Sequence, residues 1–242
     1  MIIIDGSEGE GGGQVVRNAC AFSIATGQGF RISNVRGKRS KPGLMRQHLT
    51  AVEAAAAISS AQCEGAAAGS RELLFVPGPL RPGNYRFAIG TAGSTTMVLQ
   101  AILPPLLFAD APSELTIEGG THTRWAPPFE FLERSLLPAL RGLGASVTAR
   151  LDRYGFYPAG GGAIHVRIEP TAAPRPVLLH ERGAILDRSA EVVLSRLPFD
   201  VALRELEAVR ERLGWETDPR NVTTVSRSAS PGNTITLGIT SE

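Results

Sequence analysis

The chain has 242 residues, of which 43% are hydrophobic and 20% charged, with a formal net charge of +2 and two cysteines. Such a composition supplies ample apolar surface for a folded core, and it is too nearly neutral to declare a nucleic-acid partner by charge alone. Cys20 and Cys63 build neither a disulfide framework nor a metal-ligand spacing, which excludes those two classes. The N-terminal MIIIDGSEGE turns acidic after three isoleucines and does not read as a signal peptide. The most apolar run, 97–109, is interrupted by Gln100 and Pro104-Pro105 and is too short to span a bilayer. A soluble cytoplasmic protein with no membrane partner is expected.

In chain order, residues 2–5 predict a short buried strand, followed by a glycine-rich turn at 9–13 and a helix over 14–26 that Gly27 ends. A strand at 30–35 leads into a basic loop, and 43–59 predict a second helix. Residues 73–76 predict a strand bounded by Pro77-Gly78-Pro79. The order then starts again: a strand at 85–89, a tight turn at 90–93, a helix over 94–108, a strand at 115–118, a loop, a helix over 129–143, and strands at 146–151 and 163–168. An offset of 85 residues places Pro42 on Pro127 and Ile32 on Ile117. This order predicts an internal structural repeat, with units of about 1–79 and 80–170 inside a large domain of 1–182. The expected class is α/β (α+β): repeated βαβα-plus-strands units with helices packed on one face of their sheets. The proline-rich stretch 170–176 reads as a hinge. Beyond it, 185–197 predict a strand pair or one long strand, and 200–213 an amphipathic helix with a polar N-cap and Gly214 after its end. Strands at 221–225 and 234–240, joined by a Ser-Pro-Gly-Asn turn, complete a smaller unit of 183–242. That unit stops on a strand, so an incomplete inserted domain is expected.

The chemistry-bearing stretches lie at the turns. RGKRSKPGLMRQH, residues 36–48, carries Arg36, Lys38, Arg39, Lys41 and Arg46, and the sequence holds no other lysine. Mobile cations beside a helix N-terminus are suited to collecting phosphate, whereas a lone charge run is a solvated loop. Gly11–13 precede a helix whose free N–H groups favour anions, with Arg17 one turn in. No Walker or GxGxxG pattern follows, and the turn reads equally as plain structure. Glu10 beside it could hold a divalent cation or be solvated. In GTAGSTT, 90–96, a hydroxyl could cap the next helix or touch a ligand. Gln100 is a polar residue in an apolar helix, either solvent-facing or paired. RYGFYPAGGG, 153–162, sets aromatics beside glycines, as base stacking or core packing would. Among the histidines, His48 sits beside the basic loop, where substrate contact and a ligand-free helix position are both open. His122, His165 and His180 have no partner at metal-ligand spacing.

IDGSEGEGGGQVVR, RGKRSKPGLMRQHL, FAIGTAGSTTMVLQAILP and RYGFYPAGGG, in this order and spacing, resemble the RNA 3′-terminal phosphate cyclases. The likeness runs over residues 2–182, and SPGNT at 230–234 is similar to the family's inserted small domain. The resemblance implies a ligase-type enzyme of RNA processing that uses ATP and a divalent metal (Mg or Mn) to adenylate an active-site histidine. The AMP passes to an RNA 3′-phosphate, and the adjacent 2′-OH closes a 2′,3′-cyclic phosphate with release of AMP. By motif position it implies that Glu10 is the metal-associated carboxylate. Arg17, Arg36, Arg39, Lys41, Arg46 and Gln47 would contact RNA or ATP phosphates, and Gln100 and Pro127 the adenosine. It places the nucleophilic histidine in a third repeat beyond Glu242, so no catalytic residue is expected in this chain, which is expected to be a shortened form, inactive alone. The alternative is a non-catalytic RNA-binding relative of the cyclases.

Overall fold

Short apolar strands alternate with helices and glycine-rich turns, and the inner strands bury one face against helices, whereas the first strand, expected to be buried, leaves Ile2 and Ile3 47% and 74% exposed. The computed structural model describes residues 1–171 and 173–242; Ala172, within the expected hinge, lies outside the described residues. In the first unit β1 (Ile2–Asp5), α1 (Gln14–Thr26), β2 (Phe30–Ser33), α2 (Arg46–Ser59), β3 (Gln62–Glu64) and β4 (Leu73–Val76) make a sheet of order β1-β2-β4-β3. The second unit contains β5 (Asn84–Ala88), α3 (Thr95–Leu106) and β6 (Ser113–Gly119), a broken helix, then β7 (Ser146–Arg153) and β8 (Gly162–Glu169), in the order β5-β6-β8-β7. The two sheets share one pattern: the first two strands are parallel and the remaining contacts antiparallel. Ile32 and Ile117 sit fully buried in the second strand of each.

One continuous apolar core joins the two units, with Phe30 stacked on Phe75 at 5.6 Å and Leu99, Ile102 and Leu106 of α3 inside it. Each such side chain contributes about 1.5–3 kcal/mol on burial. That packing carries α3 through Pro104-Pro105 near its end, against their intrinsic preference. Ser94 caps α3 by accepting the Met97 N–H at 3.3 Å.

Several boundaries differ from expectation. α2 starts at Arg46 rather than residue 43, because Gly43 sits at φ 86° and Met45 is extended while 42–45 close the basic loop. The helix expected over 129–143 is three pieces: α4 (Phe129–Phe131), a π-helical turn (Leu132–Leu136) and α5 (Leu137–Gly142). β3, three residues long, has too few side chains for a period and was not anticipated.

The remaining strands form a separate sheet, β10-β9-β11, from β9 (Ile185–Ser195), β10 (Val222–Val225) and β11 (Gly232–Ser241). α6 (Asp200–Leu213) packs Ala202, Leu206 and Val209 onto it. The expected polar N-cap of α6 is not made: Phe199 holds that position, and Asp200 instead complements the helix dipole from the first turn. Gly214 ends the helix at φ 65°. This sheet is fastened to the second unit by Arg134, whose guanidinium donates to both Glu191 oxygens at 2.6 and 2.8 Å, and by the Ala159 N–H donating to Ser230 Oγ at 3.0 Å. Among the described residues, no helix is long and apolar enough to cross a membrane.

Candidate functional site

In open α/β sheets, the loops leaving the carboxyl ends of parallel strands form the binding crevice. Here three such loops, after β1, β2 and β6, converge with the starts of α1, α2 and α3 on one cleft of about 720 Å³. Its walls include Glu10, Gly12, Gly13 and Arg17 from the first loop and α1, and Arg36 and Arg39 from the basic loop. Gln47 and His48 come from α2, Met97 from α3, and Arg124 and Trp125 from the loop after β6.

Three of the basic loop's five cations, Arg36, Lys38 and Arg39, are tied by hydrogen bonds or an ion pair. The loop's backbone is tied by Gly37 N–H to Asn34 O at 2.8 Å and Gly43 N–H to Val35 O at 2.7 Å. Arg36, at φ 52°, donates through Nη1 to the carbonyls of Lys41 (2.6 Å) and Gly43 (2.9 Å). Lys38 Nζ reaches Gly9 O at 3.0 Å, and Arg39 lies 3.5 Å from the Glu10 carboxylate. The loop is therefore laced to the glycine-rich turn across the cleft.

Arg17 is 6% exposed, yet among the described residues no carboxylate pairs with it; its Nε donates to the neutral Gln100 Oε1 at 3.0 Å. Burial lowers the Arg17 pKa, and burial together with Arg39 lowers that of Arg36. His48 is driven down to about 4, by burial first and then by Arg36 and Arg17. These shifts share one cause, positive charge partly removed from water without a compensating anion. Around the cleft stand four arginines against one carboxylate, Glu10. The N-terminus of α1 adds to that field, since Gly13 at the N-cap has no side chain to satisfy the first free N–H groups.

His48 is fixed in one tautomer. Its Nδ1 accepts the Met45 N–H at 3.3 Å, so the neutral ring carries its proton on Nε2, next to Gly13. Gln47 is equally committed: its Oε1 accepts the Ser94 N–H at 2.6 Å and its Nε2 faces Met97 Sδ at 3.1 Å.

Of the residues expected at a site, Glu10, Arg17, Arg36, Arg39 and Gln47 thus meet in one cleft. Gln100 and Pro127 line an adjoining apolar slot of about 370 Å³, with Leu103, Phe131, Leu136 and Leu140. Gln100 links the two spaces through Arg17, and the Pro127 carbonyl is held by Thr96 Oγ1 at 2.8 Å. Lys41 and Arg46 are exposed and do not line the cleft. His48, for which substrate contact and a ligand-free position were both open, lines the cleft; Arg124 and Trp125, not expected at a site, line it too. Among the described residues no group of three His, Cys, Asp or Glu side chains could hold a metal by itself.

Fold and cleft together define an α/β protein of duplicated units with an anion-attracting crevice. A family model of RNA 3′-terminal phosphate cyclases matches residues 8–227. The curated RNA 3′-terminal phosphate cyclase of Koribacter versatilis is 48% identical over 242 residues, all of this chain and 68% of the relative. Those of Ralstonia nicotianae and Ectopseudomonas mendocina are 51% identical over 237 residues and 50% over 239, covering 68% and 69% of the relatives' lengths. The chain belongs to the RNA 3′-terminal phosphate cyclase family.

Proposed function

We propose that the cleft receives the 3′-terminal phosphate of an RNA, as part of an enzyme that converts it to a 2′,3′-cyclic phosphate at the expense of ATP. The observation that carries this reading is Arg17, a buried guanidinium held by a neutral amide and lacking a counter-charge. A buried cation without an anion is unfavourable, and a phosphate dianion supplies what is missing. Arg36 and Arg39 flank the same space. The Nε2–H of His48 and the α1 N-terminus add neutral donors, so charge neutralisation and positioning both come from this chain.

Glu10 is exposed at the cleft's edge and is one carboxylate, which fits a magnesium-type ion completed by phosphate oxygens and water. With Glu10 as protein ligand, such an ion would supply further charge neutralisation. The slot of Gln100 and Pro127 is apolar and next to the phosphate cleft, as an adenine site needs to be. Lys41 and Arg46, outside the cleft, would attract RNA backbone at longer range.

In this reading ATP adenylates a histidine with loss of pyrophosphate, AMP is transferred to the RNA 3′-phosphate, and the 2′-OH displaces AMP as the ring closes. The histidine is not one of this chain's four. His48 Nδ1 caps α2, His122 is locked between Thr121 and Glu130 at 2.8 and 2.7 Å, and His165 and His180 stand outside the cleft. Residues 1–242 alone are then a binding platform without self-adenylation. Incubation with ATP labelled at the α-phosphate and magnesium or manganese tests this. No covalent AMP is expected, while 3′-phosphorylated RNA binds with an affinity that falls as salt rises. A stable AMP adduct would overturn the assignment of the nucleophile.

A further inference from the structure

A second groove of about 680 Å³ opens from the phosphate cleft, with which it shares Gln47, Arg124 and Trp125. Trp125 is 95% exposed and sits at φ 64°, a left-handed conformation that non-glycine residues rarely adopt. Side chain and backbone are both unfavourable there for folding: the indole buries nothing and the main chain is strained, a combination found where a ligand uses the residue. Tyr157, 75% exposed, also lines this groove. Arg124, on the shared boundary, makes no ion pair among the described residues. The far wall is Pro231-Gly232-Asn233 of the small sheet, held in place by the Ser230 bond to Ala159 and by Gly232 lying directly on the Phe156 ring.

We infer that this groove is a stacking track for the unpaired nucleotides immediately 5′ of the terminal phosphate, with Trp125 and Tyr157 as base platforms and Arg124 on the backbone phosphate. The inference deepens the reading of the cleft as a 3′-phosphate site and rests on it. Continuity fixes the occupant, because a chain whose last phosphate lies among Arg17, Arg36 and Arg39 leaves past Arg124 and Trp125. Aromatic faces accept every base, so the track is tolerant of sequence and demands single strands.

The test compares wild type, Trp125→Ala, Trp125→Gly and Arg17→Lys for binding of a single-stranded 3′-phosphorylated oligoribonucleotide. The same 3′-phosphorylated oligomer made abasic at its last three positions is the second probe. Both Trp125 variants are expected to weaken the base-bearing oligomer about tenfold and the abasic one little. Trp125→Gly should also raise the melting temperature, since glycine relieves the strained backbone; lower stability with unchanged RNA affinity would mark a merely structural tryptophan. If the oligomer binds in an Arg17-dependent way while Trp125→Ala matches wild type, the track is refuted and the phosphate site stands. If wild type binds neither oligomer, or Arg17→Lys changes nothing, the phosphate-site reading falls and the track falls with it.

Discussion

Arg17 Nε donates to Gln100 Oε1 across 3.0 Å, so a buried cation from α1 is held by an uncharged amide from α3, the corresponding helix of the second unit. The bond aims the guanidinium without neutralising it. Gln100→Leu should leave the fold intact, because residue 100 is exposed, yet lower affinity for 3′-phosphorylated RNA by about ten- to a hundredfold, the size of one hydrogen bond to a charged group. Gln100→Glu should be more damaging to phosphate binding than Gln100→Leu, since the carboxylate supplies internally the charge the ligand should bring. Titration calorimetry on the three proteins checks the order.

Gly13 is the N-cap of α1, and a methyl group there would overlap the His48 imidazole. Gly13→Ala should destabilise the protein by about 1–3 kcal/mol, as overpacking does, measured by urea unfolding. Gly9, with open space around its Cα, should show no such clash and only the strain of its φ of 57°.

His48 predicts a pH dependence whose sign is fixed. Its pKa falls from 6.5 in the unfolded chain to about 4 in the folded one, so between these values the unfolded state binds more protons. Its contribution to stability is complete above pH 6.5 and is lost as pH falls towards 4, by about 3 kcal/mol at most. His48→Asn should flatten the stability profile across that window. A bound phosphate should raise the His48 pKa, an upward shift that the imidazole NMR signal would report.

Arg39 stands between Glu10 at 3.5 Å and the cleft, with Gly12 so near that a Cβ there would lie 2.9 Å from Nη2. Arg39→Ala should weaken 3′-phosphorylated RNA about tenfold more than 3′-hydroxyl RNA. Equal losses for both ends would mean that the loop grips backbone rather than terminus. Arg46→Ala, outside the cleft, should reduce both equally and lower the salt dependence.

Much of the architecture could be read from periodicity and turn residues, because strands such as 73–76 and 163–168 carry continuous or alternating apolar side chains between glycine and proline punctuation. What escaped depends on distance in the chain. No local pattern says that Arg17 lacks a carboxylate, since that depends on every residue brought within reach by the fold. Trp125 escapes because exposure and φ are invisible in WAPP. The basic loop's ties to Gly9 and Val35 could not be read, because they run between segments whose register the strands set. Helix ends were missed where geometry overrode propensity, at Gly43 and at the π-helical turn of Leu132–Leu136.

The commitment of Gln47 has one further result. With its oxygen engaged by Ser94, Gln47 can offer a ligand only hydrogens, and so can Arg17, Arg36, Arg39, the Nε2 of His48 and the start of α1. Among the lining side chains, lone pairs come from the carboxylate of Glu10 and the amide oxygen of Gln14, both exposed at the rim. The floor of the cleft therefore discriminates by hydrogen-bond polarity as well as by charge: it welcomes an end group made of acceptors alone and penalises each proton that group carries. A phosphate monoester loses its last proton near pH 6, so occupancy should rise through that pH even where the arginines do not titrate.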